Sequence, residues 1–391
     1  MAAQLGATAP LAYLLCAVMM GLIVMCMAEA GSRVAMTGGP YAYVEVAFGP
    51  FVGFLAGFLL WMLLTFAMAA VATVLAAGLG TLVPAVSGAM ASALVLIVVY
   101  TVFAAVNIRG VESGSRINTA MTVAKLLPLV LLVVGGLFAI DADNLTVTAA
   151  PDADTLARSC MFLIFAFAGI EATLVPGGEV KDPARTVPRA IFGAMVAITV
   201  LYAGLQIVAQ GVLGPALADS RSAPLAEAAG IALGPWARTL LLIGAVVSMT
   251  GHAGAMILAT PRALFAFARD GFLPSALART HPVYRTPAIA IVVQCILVLV
   301  LAITSSFERL AILANLSTLV LYAMCCLASW QLRRRDVRAG GVPFRVPLPG
   351  VVIGVSLLVI GWMLTGVKLE EWRAFAVAAV VASLIFFFRR K

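Results

Sequence analysis

Charge is what this chain most lacks. Asp, Glu, Lys and Arg make up 11% of its 391 residues, against a hydrophobic fraction of 63% and a mean hydropathy of +1.11. Histidine is nearly absent, with two residues, His252 and His281. The six cysteines all fall inside apolar runs, with neither zinc-ligand nor redox spacing, so they read as small core residues and no metal or other cofactor is expected. A catalytic cluster within a membrane needs several ionisable groups at one depth, and only Lys125, Glu171 and His252 qualify, on three different runs. The first residues, MAAQLGATAP, have no basic region or cleavage site of a signal peptide. In a soluble protein the net charge of +8 would suggest nucleic acid; here it reports topology, and no nucleic-acid partner is expected.

What the chain does have is apolar runs of the length a helix needs to cross hydrocarbon. Eleven can be counted, over residues 10–30, 50–78, 88–107, 117–140, 157–176, 189–213, 235–266, 287–305, 309–331, 348–367 and 372–388. The reading is an all-α polytopic membrane protein in contact with the lipid bilayer, with the longest runs tilted or projecting. If the runs alternate across the membrane, eighteen of the 25 Lys and Arg fall on one side and six on the other, among them Arg158, Arg309 and Lys368. Lys125 is left inside the fourth run. The richer side is cytoplasmic by the positive-inside rule, which puts the C-terminus inside and Met1 outside.

Two stretches five runs apart look alike. "PYAYVEVAFGPF" (40–51) and "PLAEAAGIALGPW" (224–236) are both short helical segments between prolines, each ending in Gly-Pro-aromatic before a long run. Five is odd, so the copies lie on opposite faces of the membrane, the signature of an inverted repeat of five helices. The plainer reading is that Gly-Pro merely marks a loop.

The run "FAFAGIEATLVPGGEVKDP" (165–183) places Gly169-Ile170-Glu171 in mid-membrane. Unwound backbone is tolerated there only where it lines a cavity or is buried in protein. A break would present main-chain groups to the carboxylate and ammonium of a zwitterion. Glu171, ionisable and intramembrane, reads as a functional group or a structural anchor. Gly169 could instead serve close helix contact.

On these residues the chain resembles the amino acid/polyamine/organocation transporter superfamily. The matching stretches are "AEAGSRVAMTGGPYAYVEVAFGPFVGFLAGF" (28–58), "NIRGVESGSRINTAMTVAKLLPL" (107–129), the run at 165–191 and "ATPRALFAFARDGFLP" (259–274). The resemblance implies a secondary transporter of amino acids with a five-plus-five inverted repeat, in the plasma (inner) membrane. Residues 1–140 would be the remainder of the first repeat (family helices two to five), 155–331 the second repeat (six to ten), and 345–391 two C-terminal helices. The family's first helix has no counterpart among the eleven runs. The expectation is therefore either a start lying further upstream or a truncated copy that binds without transporting.

The resemblance also implies a site. Phe165 would be the aromatic gate over the substrate, with Phe162 and Phe167 as rivals for the role. Ala166, Ala168, Gly169 and Ile170 would offer backbone and little bulk. Leu64 and Met68, on the second run, would face the substrate; both are apolar, which favours a neutral, apolar amino acid over a cationic one. Lys125 lies about 12 Å into its helix at 1.5 Å per residue. A lysine at that depth can exchange a proton during transport. In sodium-independent relatives a similarly placed lysine stands where sodium sits in other carriers. This implies proton symport or exchange, with Lys125 and Glu171 as coupling residues; Lys125 as a fixed helix tether is the competing reading. His252 reads as a packing contact.

Overall fold

A computed structural model of the chain describes residues 5–34, 36, 38–110, 115–147, 150–170, 183–220, 223–338 and 342–388. Among them the regular structure is helical, with fourteen α-helices and no strand. In hydrocarbon a peptide group finds no water, so a helix, which satisfies its backbone internally, is what a long apolar run must form. The helices are α1 (Ala9–Arg33), α2 (Pro40–Phe48), α3 (Pro50–Leu82), α4 (Ala89–Arg109), α5 (Ser115–Gly136), α6 (Ala153–Phe167) and α7 (Pro183–Leu213). They continue as α8 (Pro224–Leu233), α9 (Pro235–Ala259), α10 (Pro261–Arg269), α11 (Ala288–Thr304), α12 (Phe307–Arg334), α13 (Pro349–Thr365) and α14 (Leu369–Phe387).

Each of the eleven apolar runs coincides with a helix or begins on one. Among the described residues six helical stretches are long and apolar enough to cross a membrane, and seven if α13 and α14, bent by 117° at their joint, count as one span. Among the described residues α6, with 15 residues, and α11 and α13, with 17 each, fall short of the roughly 20 a perpendicular crossing needs. At the other extreme the 33 residues of α3 extend about 50 Å, which requires tilt or projection.

The two similar stretches have become two similar joints. Helix α2 ends at Gly49, with φ 89° and ψ 178°, and Pro50 opens α3; α8 ends at Gly234, with φ 100° and ψ 173°, and Pro235 opens α9. Positive φ suits glycine, and proline at a helix start gives up an N–H that has no intrahelical acceptor. Both short helices fold back on the long helix that follows them.

Helix α3 packs most extensively on α12 and α1 on α7, with α9 and α11 also against α3. The largest core cluster joins Met20, Ile23 and Met27 of α1 to Ile164 and Phe167 of α6 and Leu316 and Tyr322 of α12. A second joins Met68 and Leu75 of α3 to Tyr100 of α4, Ile257 of α9 and Val298 of α11.

One end of the bundle is tied by buried charge. Glu29 is 0% exposed and Arg33, one turn on, is 1% exposed. Arg33 Nε and Nη2 donate to Glu29 Oε1 at 3.1 and 2.8 Å. The other carboxylate oxygen accepts from Arg333 Nη1 at 3.4 Å and from the Val346 N–H at 2.9 Å. Arg33 and Arg333 also donate to the carbonyls of Val337 and Val346, and Ser32 Oγ accepts from the Phe344 N–H. The last turns of α1 and α12 and the segment leading to α13 thus share one carboxylate. A buried ion is tolerated only with this degree of satisfaction.

Candidate functional site at the end of helix α6

Helix α6 begins with a cap and ends with a break. Asp152 accepts from the Thr155 N–H and hydroxyl, each at 2.8 Å, and these bonds hold its carboxyl below the usual carboxylate range. At the far end Ala168 makes the last helical bond, its N–H to the Ile164 carbonyl at 2.7 Å, but is itself extended (φ −62°, ψ 147°), and Gly169 takes φ +105°. An L side chain is strained at that φ, although a Cβ there would meet no atom of the described residues within 4 Å. The helix therefore stops inside the apolar run, at the Gly169 singled out in the sequence. Glu171 lies outside the described residues.

The three aromatic residues of α6 part company. Phe167 is buried and meets Tyr202 of α7 edge-on, at 5.8 Å between centroids; Phe162 packs on the first core cluster. Phe165 alone reaches the second cluster, which contains Met68, and makes a T-shaped contact with Phe307, the first residue of α12, at 5.6 Å and 88°. Phe307 was not a sequence candidate; nothing in "TSSFERL" points to α6, because the contact spans more than a hundred residues. Ala166 and Ala168 are half-buried, Gly169 is exposed, and Ile170 is buried in the first cluster. Leu64 is half-buried against that same cluster, whereas Met68 is fully buried. Asn315 of α12, also fully buried, donates from Nδ2 to the Met161 carbonyl at 2.6 Å, fixing α12 to the middle of α6.

A second polar arrangement joins α3 to α11. Trp61 Nε1 donates to Gln294 Oε1 at 3.0 Å, Gln294 Nε2 donates to Thr65 Oγ1 at 3.0 Å, and Thr65 Oγ1 donates to the Trp61 carbonyl at 2.8 Å. A lone Gln in "AIAIVVQCILVLVLAIT" was the available signal.

Lys125 departs from expectation. Depth along the helix suggested burial, but the side chain is exposed, as are Val123, Leu126, Leu127 and Val130 around it. The described residues leave this face of α5 uncovered, while its other face packs on α7, α8 and α9. No ion pair to Lys125 occurs among the described residues. His252 Nε2 is buried with no hydrogen-bond partner there.

Beside Phe307 opens a cavity of about 460 Å³, and three of the six minority-side cations, Arg158, Arg309 and Lys368, line it with Glu308, Glu370 and Glu371. The described residues contain no group of three or more His, Cys, Asp or Glu able to hold a metal, and all six cysteines are buried and free of disulfides.

An all-helical bundle with several membrane-length apolar helices, and with a shorter one, α6, that ends at a glycine within an apolar run, is a multi-pass integral membrane protein of transporter type. The comparisons agree. Residues 1–386 match the amino acid permease family, and the chain belongs to it, within the amino acid/polyamine/organocation superfamily. It is 29% identical to the serine/threonine exchanger SteT of Bacillus subtilis over 85% of this chain and 78% of that protein. It is 27% identical to the methylthioribose transporter of the same organism, over 96% and 84%. To the branched-chain amino acid permease BcaP, also of B. subtilis, it is 26% identical, over 88% and 79%. These relatives point to a transporter rather than an enzyme.

Proposed function

We propose that the chain is a secondary active transporter for a neutral, apolar amino acid, independent of sodium and working by proton symport or exchange. The observation that carries this reading is the end of α6 at Ala168–Gly169, where main-chain groups leave the helical ladder inside an apolar run. Phe165 closes over that turn, Ala166, Ala168, Gly169 and Ile170 form its floor, and Leu64 and Met68 supply the facing wall from α3. Two of the relatives are named for neutral amino acids, which supports the substrate class; the methylthioribose transporter shows that such names do not fix it.

The architecture that goes with this reading is a five-plus-five inverted repeat with eleven spans and a cytoplasmic C-terminus in the plasma (inner) membrane. The matching Gly49–Pro50 and Gly234–Pro235 joints support the repeat. The grouping of Arg158, Arg309 and Lys368 around one cavity, and of Arg33 with Arg333 around Glu29, supports the sorting of charges to two faces. Lys125 and Glu171 are the proposed coupling groups; an exposed Lys125 fits a group that meets solvent in part of the cycle.

The test is uptake of radiolabelled L-serine, L-threonine and L-leucine into proteoliposomes, in sodium and in choline buffers. Saturable uptake, equal in both, is expected. Uptake abolished by choline overturns sodium independence, and binding of these amino acids without uptake overturns transport itself.

A further inference from the structure

The Trp61–Gln294–Thr65 arrangement is a closed circuit. The indole N–H can only donate, so it fixes which end of the Gln294 amide faces Trp61. The amide nitrogen must then point at Thr65, whose hydroxyl accepts it and passes its own hydrogen back to the Trp61 carbonyl. Both ends of the circuit return to Trp61, both polar atoms of the amide are satisfied, and Gln294 is 0% exposed. A carboxamide in the middle of an otherwise apolar helix is costly unless so satisfied, which makes its geometry specific.

The circuit grips one stripe of α3. Trp61 and Thr65 are one turn apart on the same side of the helix, and Leu64 and Met68 form the adjacent stripe, each three residues beyond a gripped position. Met68 belongs to the cluster on which Phe165 rests, and Leu64 packs on the cluster that holds Ile170. Rotation or sliding of α3 would shift both contacts with the end of α6. Trp61 is itself braced by Phe58, with ring centroids 5.6 Å apart.

We infer that Gln294 is a positioning residue: through Trp61 and Thr65 it sets the rotation and height of α3, and so the shape of the apolar wall that Leu64 and Met68 present to the substrate side chain. The inference rests on the transport reading above and names the residue that tunes its selectivity.

The test compares Gln294→Leu, Trp61→Phe, Thr65→Val and the Gln294→Leu/Trp61→Phe double variant in proteoliposomes, with L-leucine and L-alanine as probes. The expected result is a rise in KM for L-leucine of about fivefold to tenfold in Gln294→Leu and Trp61→Phe, with the maximal rate per folded protein nearly unchanged. The preference for leucine over alanine should fall, and the double variant should be no worse than either single change. Thr65→Val, which breaks one link, should give a smaller shift. A merely structural tether would lower folded yield and melting temperature while leaving KM and the leucine-to-alanine ratio as in the wild type, and that result overturns the inference. If Gln294→Leu does not fold, Trp61→Phe and Thr65→Val decide by the same readouts. Wild-type protein that carries neither amino acid overturns the transport reading and this inference with it; wild-type transport with unchanged KM in the variants overturns the inference alone.

Discussion

At Glu29 a charge is wholly buried and met by two guanidinium groups and a peptide N–H, whereas at Gly169 the chain leaves its helix with the glycine exposed and an aromatic pair nearby. Both sites put polar groups near the C-terminal end of an apolar helix, where they would be costly in hydrocarbon if left alone. The first is held by contacts from three segments that leave the carboxylate no alternative arrangement. The second is marked by a backbone angle that suits glycine, φ +105° at Gly169. A transporter needs both kinds of site: fixed joints that define rigid bodies and a break in a helix where a ligand can be gripped and released.

Glu29→Ala breaks the fixed joint and carries the largest expected effect on folding. Removing the carboxylate leaves Arg33 buried without its partner, a loss of about 3–5 kcal/mol. Detergent-solubilised protein should melt far lower and yield should fall.

Gly169→Val attacks the break in α6. It adds backbone strain of about 1–3 kcal/mol, a small part of a bundle's stability, so most of the protein should still fold. Amino acid uptake, in contrast, should be nearly lost. Stability and transport would therefore separate at Gly169 and fall together at Glu29; equal losses of both at the two sites would erase the distinction.

Phe165→Ala removes the ring that meets Phe307 and should raise apparent KM by about tenfold with little change in melting. An unchanged KM would take the gate role away from Phe165. Lys125→Ala should leave folding intact, since the side chain is exposed and unpaired among the described residues, and should flatten the pH dependence of uptake. Uptake with an unaltered pH profile would leave Lys125 without a coupling role.

The smallest effect belongs to Asp152→Ala at the start of α6. The Asp152 carboxyl is held below its ordinary range, so its capping bonds contribute above that range and are lost as pH falls through the lowered value. The variant should therefore melt slightly lower at neutral pH and match the wild type in acid.

Local features of this fold were legible in advance. The Gly-Pro joints could be read because positive φ and a missing N–H are properties of single residues, and the stop at Gly169 for the same reason. The Glu29–Arg33 pair was legible in principle, as an acid one turn ahead of a base. Its third member, Arg333, lies 304 residues away, and Gln294 lies 233 from Trp61; no spacing rule reaches across such distances. Lys125 shows the limit from another side: distance along a helix could be counted, but which way the residue faces depends on which neighbours cover that face. How each apolar run sits in a membrane is not legible for a related reason, since apolar content is local while tilt and bending, as at the joint of α13 and α14, come from packing.

The most direct test of the account measures, on one preparation, L-leucine uptake into proteoliposomes and the melting temperature of the wild type and Gly169→Val. The account predicts saturable uptake by the wild type, near-complete loss in Gly169→Val, and melting temperatures a few degrees apart. Undiminished uptake by a well-folded Gly169→Val protein would contradict it, because transport would then not depend on the break in α6.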